Sequence, residues 1–151
     1  MKHSKVVNNS KGQSLFEVIL AIGIIGLVIA SIAALAAISI RNTTFSRNNT
    51  QATAYAQEAV EWLRGQRDSD WTSFYTNVSS AGGVYCLDTL SWANPTACVK
   101  EPISGTILER QVSFSGITPT QVTANITVSW NDAQGFHQAE TSTVFTDWRF
   151  R

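Results

Sequence analysis

The sequence predicts an α+β fold, in which one long N-terminal helix is packed by a small antiparallel sheet of about three to four strands. Three observations predict it. Residues 18–40 form an apolar stretch without a charged residue. Residues 41–66 then carry an apolar stripe at helical spacing. Finally, apolar and polar residues alternate along residues 121–130, which is typical of a strand with one buried face.

The apolar stretch is long enough to cross a membrane as a helix. Its 23 residues would span about 34 Å, compared with about 30 Å for the hydrocarbon core of a bilayer. It is longer than the apolar part of an ordinary secretory signal, although the alanine-rich residues 33–37 leave a signal-peptide interpretation open. Residues 1–12 carry three lysines and no acid, so the positive-inside rule predicts a cytoplasmic N-terminus and export of everything after Ile40.

A single carboxylate, Glu17, stands at the N-terminal edge of the apolar stretch. A charged group inside hydrocarbon costs about 2.5–3.5 kcal/mol at a helix centre, so its presence indicates a function. The alternative is a position in the headgroup zone near a helix N-terminus, where a negative charge gains about 0.3–1 kcal/mol. Small residues within the helix, such as Gly26, Ala30 and Ala34, favour close helix packing over a plain alanine-rich anchor.

The stripe in residues 41–66 predicts an amphipathic continuation of the same helix. Ala52 and Ala59 are seven residues apart, and so are Tyr55 and Trp62. Asparagines and threonines near residues 42–50 are poor helix formers and predict a weak middle portion. Gly65 is the expected end of the helix. We expect the stripe to pack under the domain that follows, in preference to forming a ligand groove.

The rest of the chain, residues 67–151, predicts an exported globular head. Turn residues dominate residues 68–106 and predict an irregular connection with short strands, whose aromatic side chains anchor it to the helix. Three strands are then expected at residues 107–115, 121–130 and 136–148, with a hairpin loop at residues 131–135.

Cys86 and Cys98 are the only cysteines, and both follow the apolar stretch. An even pair in an oxidising compartment predicts a disulfide. It would close a loop of 13 residues and contribute about 3 kcal/mol in the chain-entropy description. A metal site is the less favoured alternative because it needs closer cysteine pairs or nearby histidines, and two free thiols remain open.

No group of residues in the sequence forms an evident catalytic or cofactor-binding set. His137 is alone near the expected hairpin and is predicted to be an exposed strand residue. Asp68 and Asp70 are close in sequence but have no evident partner for acid–base chemistry or metal binding. We therefore expect a protein that is not an enzyme and carries neither a metal nor a cofactor.

Residues 12–18 (GQSLFEV), with a basic leader before them and the apolar helix behind, resemble the type IV pilin and pseudopilin family. With the later EAVEWLR segment, they look most like PilV-type minor pilins and I-type pseudopilins of type II secretion. The N-terminal resemblance covers residues 1–40. Gln13 stands where many major pilins have phenylalanine, and the apolar helix lacks the proline that many of them carry.

The resemblance implies that residues 1–12 are a leader, cut off after Gly12 by a prepilin peptidase that also methylates the new amine on Gln13. It further implies that residues 13–40 become a filament-core helix after leaving the membrane. The positive amine of Gln13 in one subunit would then pair with Glu17 of its neighbour. The implied partners are other pilin subunits, the prepilin peptidase, the pilus assembly machinery and the membrane. The implied location is the inner membrane, followed by a surface pilus or the periplasm.

The charge balance argues against a basic nucleic-acid-binding surface, while a local basic patch remains open. The full chain has eleven basic and eleven acidic residues, and loss of the leader would leave eight basic residues and a formal charge of −3. The function that the resemblance implies first is that of a structural pilus subunit, of the minor kind. The alternatives are a periplasmic pseudopilin of type II secretion and, from a different class, a single-pass membrane protein whose head binds a ligand.

Overall fold

A computed structural model describes residues 11–80, 83–99 and 101–148, with side chains from Leu15 onward. The chain divides into two compact units, Met1–Phe45 and Ser46–Arg151. Most of the predicted leader, residues 1–10, lies outside the described residues, whereas Lys11 and Gly12 are the first two residues of a helix.

Helix α1, Lys11–Ser69, is 59 residues long. In the first unit it carries the apolar stretch, and every described side chain from Leu15 to Phe45 is exposed. Two hydroxyls there bond within the helix: those of Ser31 and Thr43 donate to the carbonyls of Leu27 and Ser39 at 2.8 and 2.9 Å. Such internal bonds leave no unpaired donor on these side chains, which suits an apolar surrounding.

In the second unit, the residues of α1 from Ser46 onward bury the predicted stripe. Ala52, Ala56, Ala59 and Leu63 are each at most 1% exposed, at spacings of four, three and four residues. Three of the four are alanines, which allow the helix backbone to lie close to the sheet. The α+β prediction of a long helix packed by a sheet is confirmed.

The predicted helix end at Gly65 is wrong, because α1 continues to Ser69. A glycine inside a helix costs only about 1 kcal/mol relative to alanine. Leu63 is buried just before it, and the residues after it remain in contact with the head: Gln66 accepts a hydrogen bond from Trp92 at 3.0 Å. Those contacts explain why the helix passes through the glycine.

A second helix, α2, occupies Trp71–Ser80, where the sequence predicted an irregular connection. That prediction is wrong because Asp70 caps a helix: its Oδ1 accepts a hydrogen bond from the backbone N–H of Thr72 at 3.0 Å. Phe74 and Val78, four residues apart, are buried on one face. The aspartates that indicated a turn therefore mark the junction between two helices.

The sheet has four strands in the order β1-β2-β3-β4, and all neighbours are antiparallel. The strands are β1 (Val84–Cys86), β2 (Glu109–Thr118), β3 (Gln121–Asp132) and β4 (Gly135–Thr146). The predicted count of three to four strands is confirmed, and the tight turn at residues 133–134 lies inside the predicted hairpin loop.

Two faces of the sheet differ sharply in chemistry. The inner face, turned to the helices, carries side chains that alternate along each strand with those of the outer face. Its central residues, Val112, Val122, Ala124, Ile126 and Val128, are fully buried. The outer face carries mostly hydroxyl, amide and carboxylate side chains, together with the exposed Phe136 and Val144. The period-two pattern of the sequence therefore predicted the face of the β3 residues correctly.

Candidate functional site

The residues singled out for processing and assembly lie at the start of α1. Gly12 and Gln13 belong to its first turn, while their side chains lie outside the described part of the chain. Glu17 follows Gln13 by four residues, a rise of about 6 Å along the axis, and positions four apart share one face of a helix. The Glu17 side chain is exposed.

The surface around Glu17 is apolar and uncovered. Leu15 and Phe16 are 67% and 69% exposed, and no described side chain between residues 15 and 40 is buried. By length and composition, α1 contains a stretch that is apolar enough to cross a membrane. An exposed apolar surface of this kind is suited to contact with lipid or with other apolar helices.

In the head, Cys86 and Cys98 form a disulfide, in agreement with the prediction. The loop that it closes is tied to the sheet, because Cys86 N–H donates to the Asn94 carbonyl at 3.0 Å and Leu87 N–H donates to the Arg110 carbonyl at 2.8 Å. Carboxylates of Asp88 and Glu101 approach Cys86. Its sulfur is engaged in the disulfide and is therefore not a thiolate ligand for a metal.

Arg110 is a central residue that the sequence analysis missed. It lies on the inner face of β2 and is 2% exposed. Its guanidinium donates to the carbonyl of Leu87 at 3.0 Å, to the carbonyl of Tyr55 at 3.2 Å and to the Glu58 carboxylate at 2.7 Å. One side chain thus connects α1, the disulfide loop and the sheet.

Aromatic side chains anchor the connection between α2 and β2, as predicted. The rings of Trp92 and Trp62 are 4.8 Å apart, and Trp92 Nε1 donates to Gln66 Oε1 at 3.0 Å. Phe74 contributes from α2, with its ring 6.0 Å from that of Trp92 and 5.6 Å from that of Phe145. This cluster joins both helices to the sheet and fixes the position of the disulfide loop.

The prediction of an exposed His137 is wrong. Its side chain is only 23% exposed, and its ring lies 5.4 Å from that of Trp130. Nε2 is 3.1 Å from Asp132 Oδ1. The pKa of the Asp132 carboxyl is lowered from 3.8, mainly by the hydrogen bond from the backbone N–H of Gln134 and, to a lesser extent, by His137, while desolvation opposes the change. The pair stabilises the β3–β4 hairpin.

Comparison of the chain with models of protein families, with curated proteins and with solved structures gave no match. The interpretation of its function therefore depends on the residues themselves. Two features bear on function. One is Glu17 in the exposed apolar part of α1, and the other is a head that contains a disulfide-closed loop and a largely polar outer sheet face.

Proposed function

We propose that the chain is a structural subunit of a type IV pilin-like filament, cut after Gly12 and assembled through the apolar half of α1. The observation that carries this proposal is Glu17, the only charged residue of residues 12–40. It lies in the part of α1, Leu15 to Phe45, where every described side chain is exposed. The Glu17 carboxylate and the exposed apolar surface each need a partner, and the helices of neighbouring pilin subunits would supply both.

Glu17 gains its partner through processing. Cleavage after Gly12 creates a positive amine on Gln13, one helical turn from the carboxylate of its own chain. In a bundle of parallel helices shifted along their axes, the amine of one subunit meets Glu17 of the next. A buried ion pair contributes little net stability after desolvation. The pair instead fixes the axial offset between neighbouring helices. At any other offset the Glu17 carboxylate would remain unpaired in an apolar core.

The disulfide supports export of the head. Disulfides persist in oxidising compartments such as the bacterial periplasm and the cell surface, and the lysines before the apolar stretch favour a cytoplasmic N-terminus. The precursor would therefore wait in the inner membrane with its head on the outer side. On assembly, the apolar helix would exchange lipid for neighbouring helices.

The same features suit a periplasmic pseudopilin of type II secretion. Deleting the gene separates the two roles: loss of surface filaments indicates a pilus subunit, whereas loss of secreted folded proteins with intact filaments indicates a pseudopilin. A membrane-anchored ligand-binding protein, the alternative from a different class, would keep residues 1–12 or lose a longer signal sequence.

Replacement of Glu17 by glutamine tests the assembly role. We expect the E17Q chain to be cut after Gly12 at the normal rate and to be nearly absent from sheared filaments or cross-linked oligomers. Ser31→Ala is the matched control, since Ser31 lies in the same helix and its hydroxyl bonds only within it. Assembly of E17Q at the level of S31A would contradict the role of Glu17.

A further inference from the structure

The outer face of the sheet contains a row of hollows that share lining residues. Three adjoining hollows of about 220, 300 and 360 Å³ follow one another across β2, β3 and β4. The first two share Glu109, Ser129 and Phe136, and the last two share Thr127. We call this combined feature the outer groove. All of its lining residues belong to the head.

Polar side chains are arranged in rows across the outer groove. Glu109 is paired with Ser129, and Ser129 with Gln138, on three successive strands. The next row consists of Gln111, Thr127 and Glu140. Because neighbouring strands are about 4.8 Å apart, each row presents hydrogen-bonding groups over roughly 10 Å. Carboxylates, amides and hydroxyls, with both donors and acceptors, are what a hydroxyl-rich ligand requires.

An aromatic ring stands at one end of these rows. Phe136 is 68% exposed and lines both hollows at that end, and Ile107, 53% exposed, lies in the outermost one. A flat exposed ring next to planar polar side chains provides an apolar face on which the C–H face of a sugar ring can stack. The position of Phe136 is fixed by β4, which pairs with β3 in one uninterrupted register along its whole length.

Charge limits what the outer groove can hold. Among the described residues that line it are the carboxylates of Glu109 and Glu140, and none is a lysine, arginine or histidine. Phosphates, nucleic acids and acidic glycans would be repelled. The polar rows are equally unsuited to lipid chains. Neutral glycans and glycans with amino groups fit both the charge and the hydrogen-bonding chemistry.

We infer that the outer groove binds a polysaccharide chain without acidic groups, stacking one sugar on Phe136 and hydrogen-bonding the following sugars to the rows that start at Glu109 and Gln111. Amino-bearing sugars gain an additional contact with Glu109 or Glu140. This binding role does not depend on the proposed filament function, since it requires only the folded head.

Calorimetric titration of the full-length chain, in a zwitterionic detergent without sugar groups, tests this role. The probes are β-1,4-linked hexasaccharides of glucose, glucosamine and galacturonic acid. We expect the first two to bind and the acidic one not to bind. Phe136→Ala should weaken binding about tenfold, which equals about 1.4 kcal/mol and lies near the upper value for one aromatic ring contact. Glu109→Gln should weaken the glucosamine probe more than the glucose probe.

Val144→Ala is the matched control, because Val144 is on the same strand and the same face, is 52% exposed and does not line the three hollows. It should bind like the unchanged protein. The role is refuted if neither neutral nor amino probe binds at millimolar concentration, if V144A loses as much affinity as F136A, or if the acidic probe binds best. Binding of oligolysine but of no sugar would indicate a protein-binding acidic surface and would equally refute it.

Discussion

Replacing Arg110 with methionine should destabilise the head by about 2 kcal/mol. Methionine keeps an apolar stem of similar length in the buried site, so the loss comes from the guanidinium. Two carbonyl oxygens, of Leu87 and Tyr55, lose a charged donor at 3.0 and 3.2 Å, and bonds to charged groups contribute about 1.5–3 kcal/mol each. Relief of the desolvation cost of the buried cation offsets part of that loss.

The ion pair with Glu58 adds less than its 2.7 Å distance suggests. The Glu58 side chain is 52% exposed, so water screens the pair, and such pairs contribute about 0.2–1 kcal/mol. Glu58→Gln is therefore the matched control, and it should lower the free energy of unfolding by less than about 1 kcal/mol. The large effect of R110M and the small effect of E58Q together distinguish loss of the carbonyl contacts from loss of the salt bridge.

The measurement is urea unfolding of the full-length chain in detergent micelles, followed by tryptophan fluorescence, which reports the buried cluster around Trp92. A loss of about 2 kcal/mol lowers the urea midpoint by roughly 1 M when the slope of the unfolding free energy is about 2 kcal/mol per M. An R110M protein within about 0.5 kcal/mol of the original would refute the reasoning. So would an E58Q protein that is destabilised as much as R110M.

The remaining predictions concern the disulfide, the aromatic cluster and the hairpin. Replacing Cys86 and Cys98 together with serine should cost about 3 kcal/mol, measured by the same unfolding experiment against the oxidised protein; an unchanged midpoint would contradict it. Phe74→Ala should cost about 3–5 kcal/mol because Phe74 is 1% exposed at the centre of the cluster, and a loss below 1 kcal/mol would disprove that central position. The lowered pKa of Asp132, caused first by its bond from the Gln134 N–H, means that its ionised form adds stability above its ordinary pKa of 3.8. That stability is lost as the pH falls through the lowered folded-state pKa. Asp132→Asn should therefore flatten the stability profile in this acidic range, and an unchanged profile would contradict the assignment.

The sequence predicted the parts of the fold that have a clear period. The apolar stripe of α1 repeats at helical spacing, and β3 alternates over ten residues, so both buried faces were correctly identified. The disulfide followed from the number of cysteines and the predicted export. These features depend on residue spacing or on the number of cysteines, and both can be read directly from the sequence.

The sequence did not reveal features that depend on tertiary contacts. α2 was missed because Asp70 was interpreted as a turn residue, although Trp71, Phe74 and Val78 have helical spacing. Short strands were expected in residues 68–106, and β1 is one of them, but its three residues are too few for a periodic signal that would fix its position. Arg110 occupies an inner-face position in an alternating strand, a departure from the apolar pattern that could have indicated a buried, hydrogen-bonded cation.

Processing after Gly12 is the central claim, because the pairing of Glu17 depends on the amine that it creates. The most direct measurement is the intact mass and N-terminal sequence of the chain recovered from membranes of cells that contain a prepilin peptidase. The account predicts a chain that begins at Gln13 and carries one additional methyl group. A chain that begins at Met1, or one that begins beyond Ala37 after cleavage of a signal peptide, would contradict it.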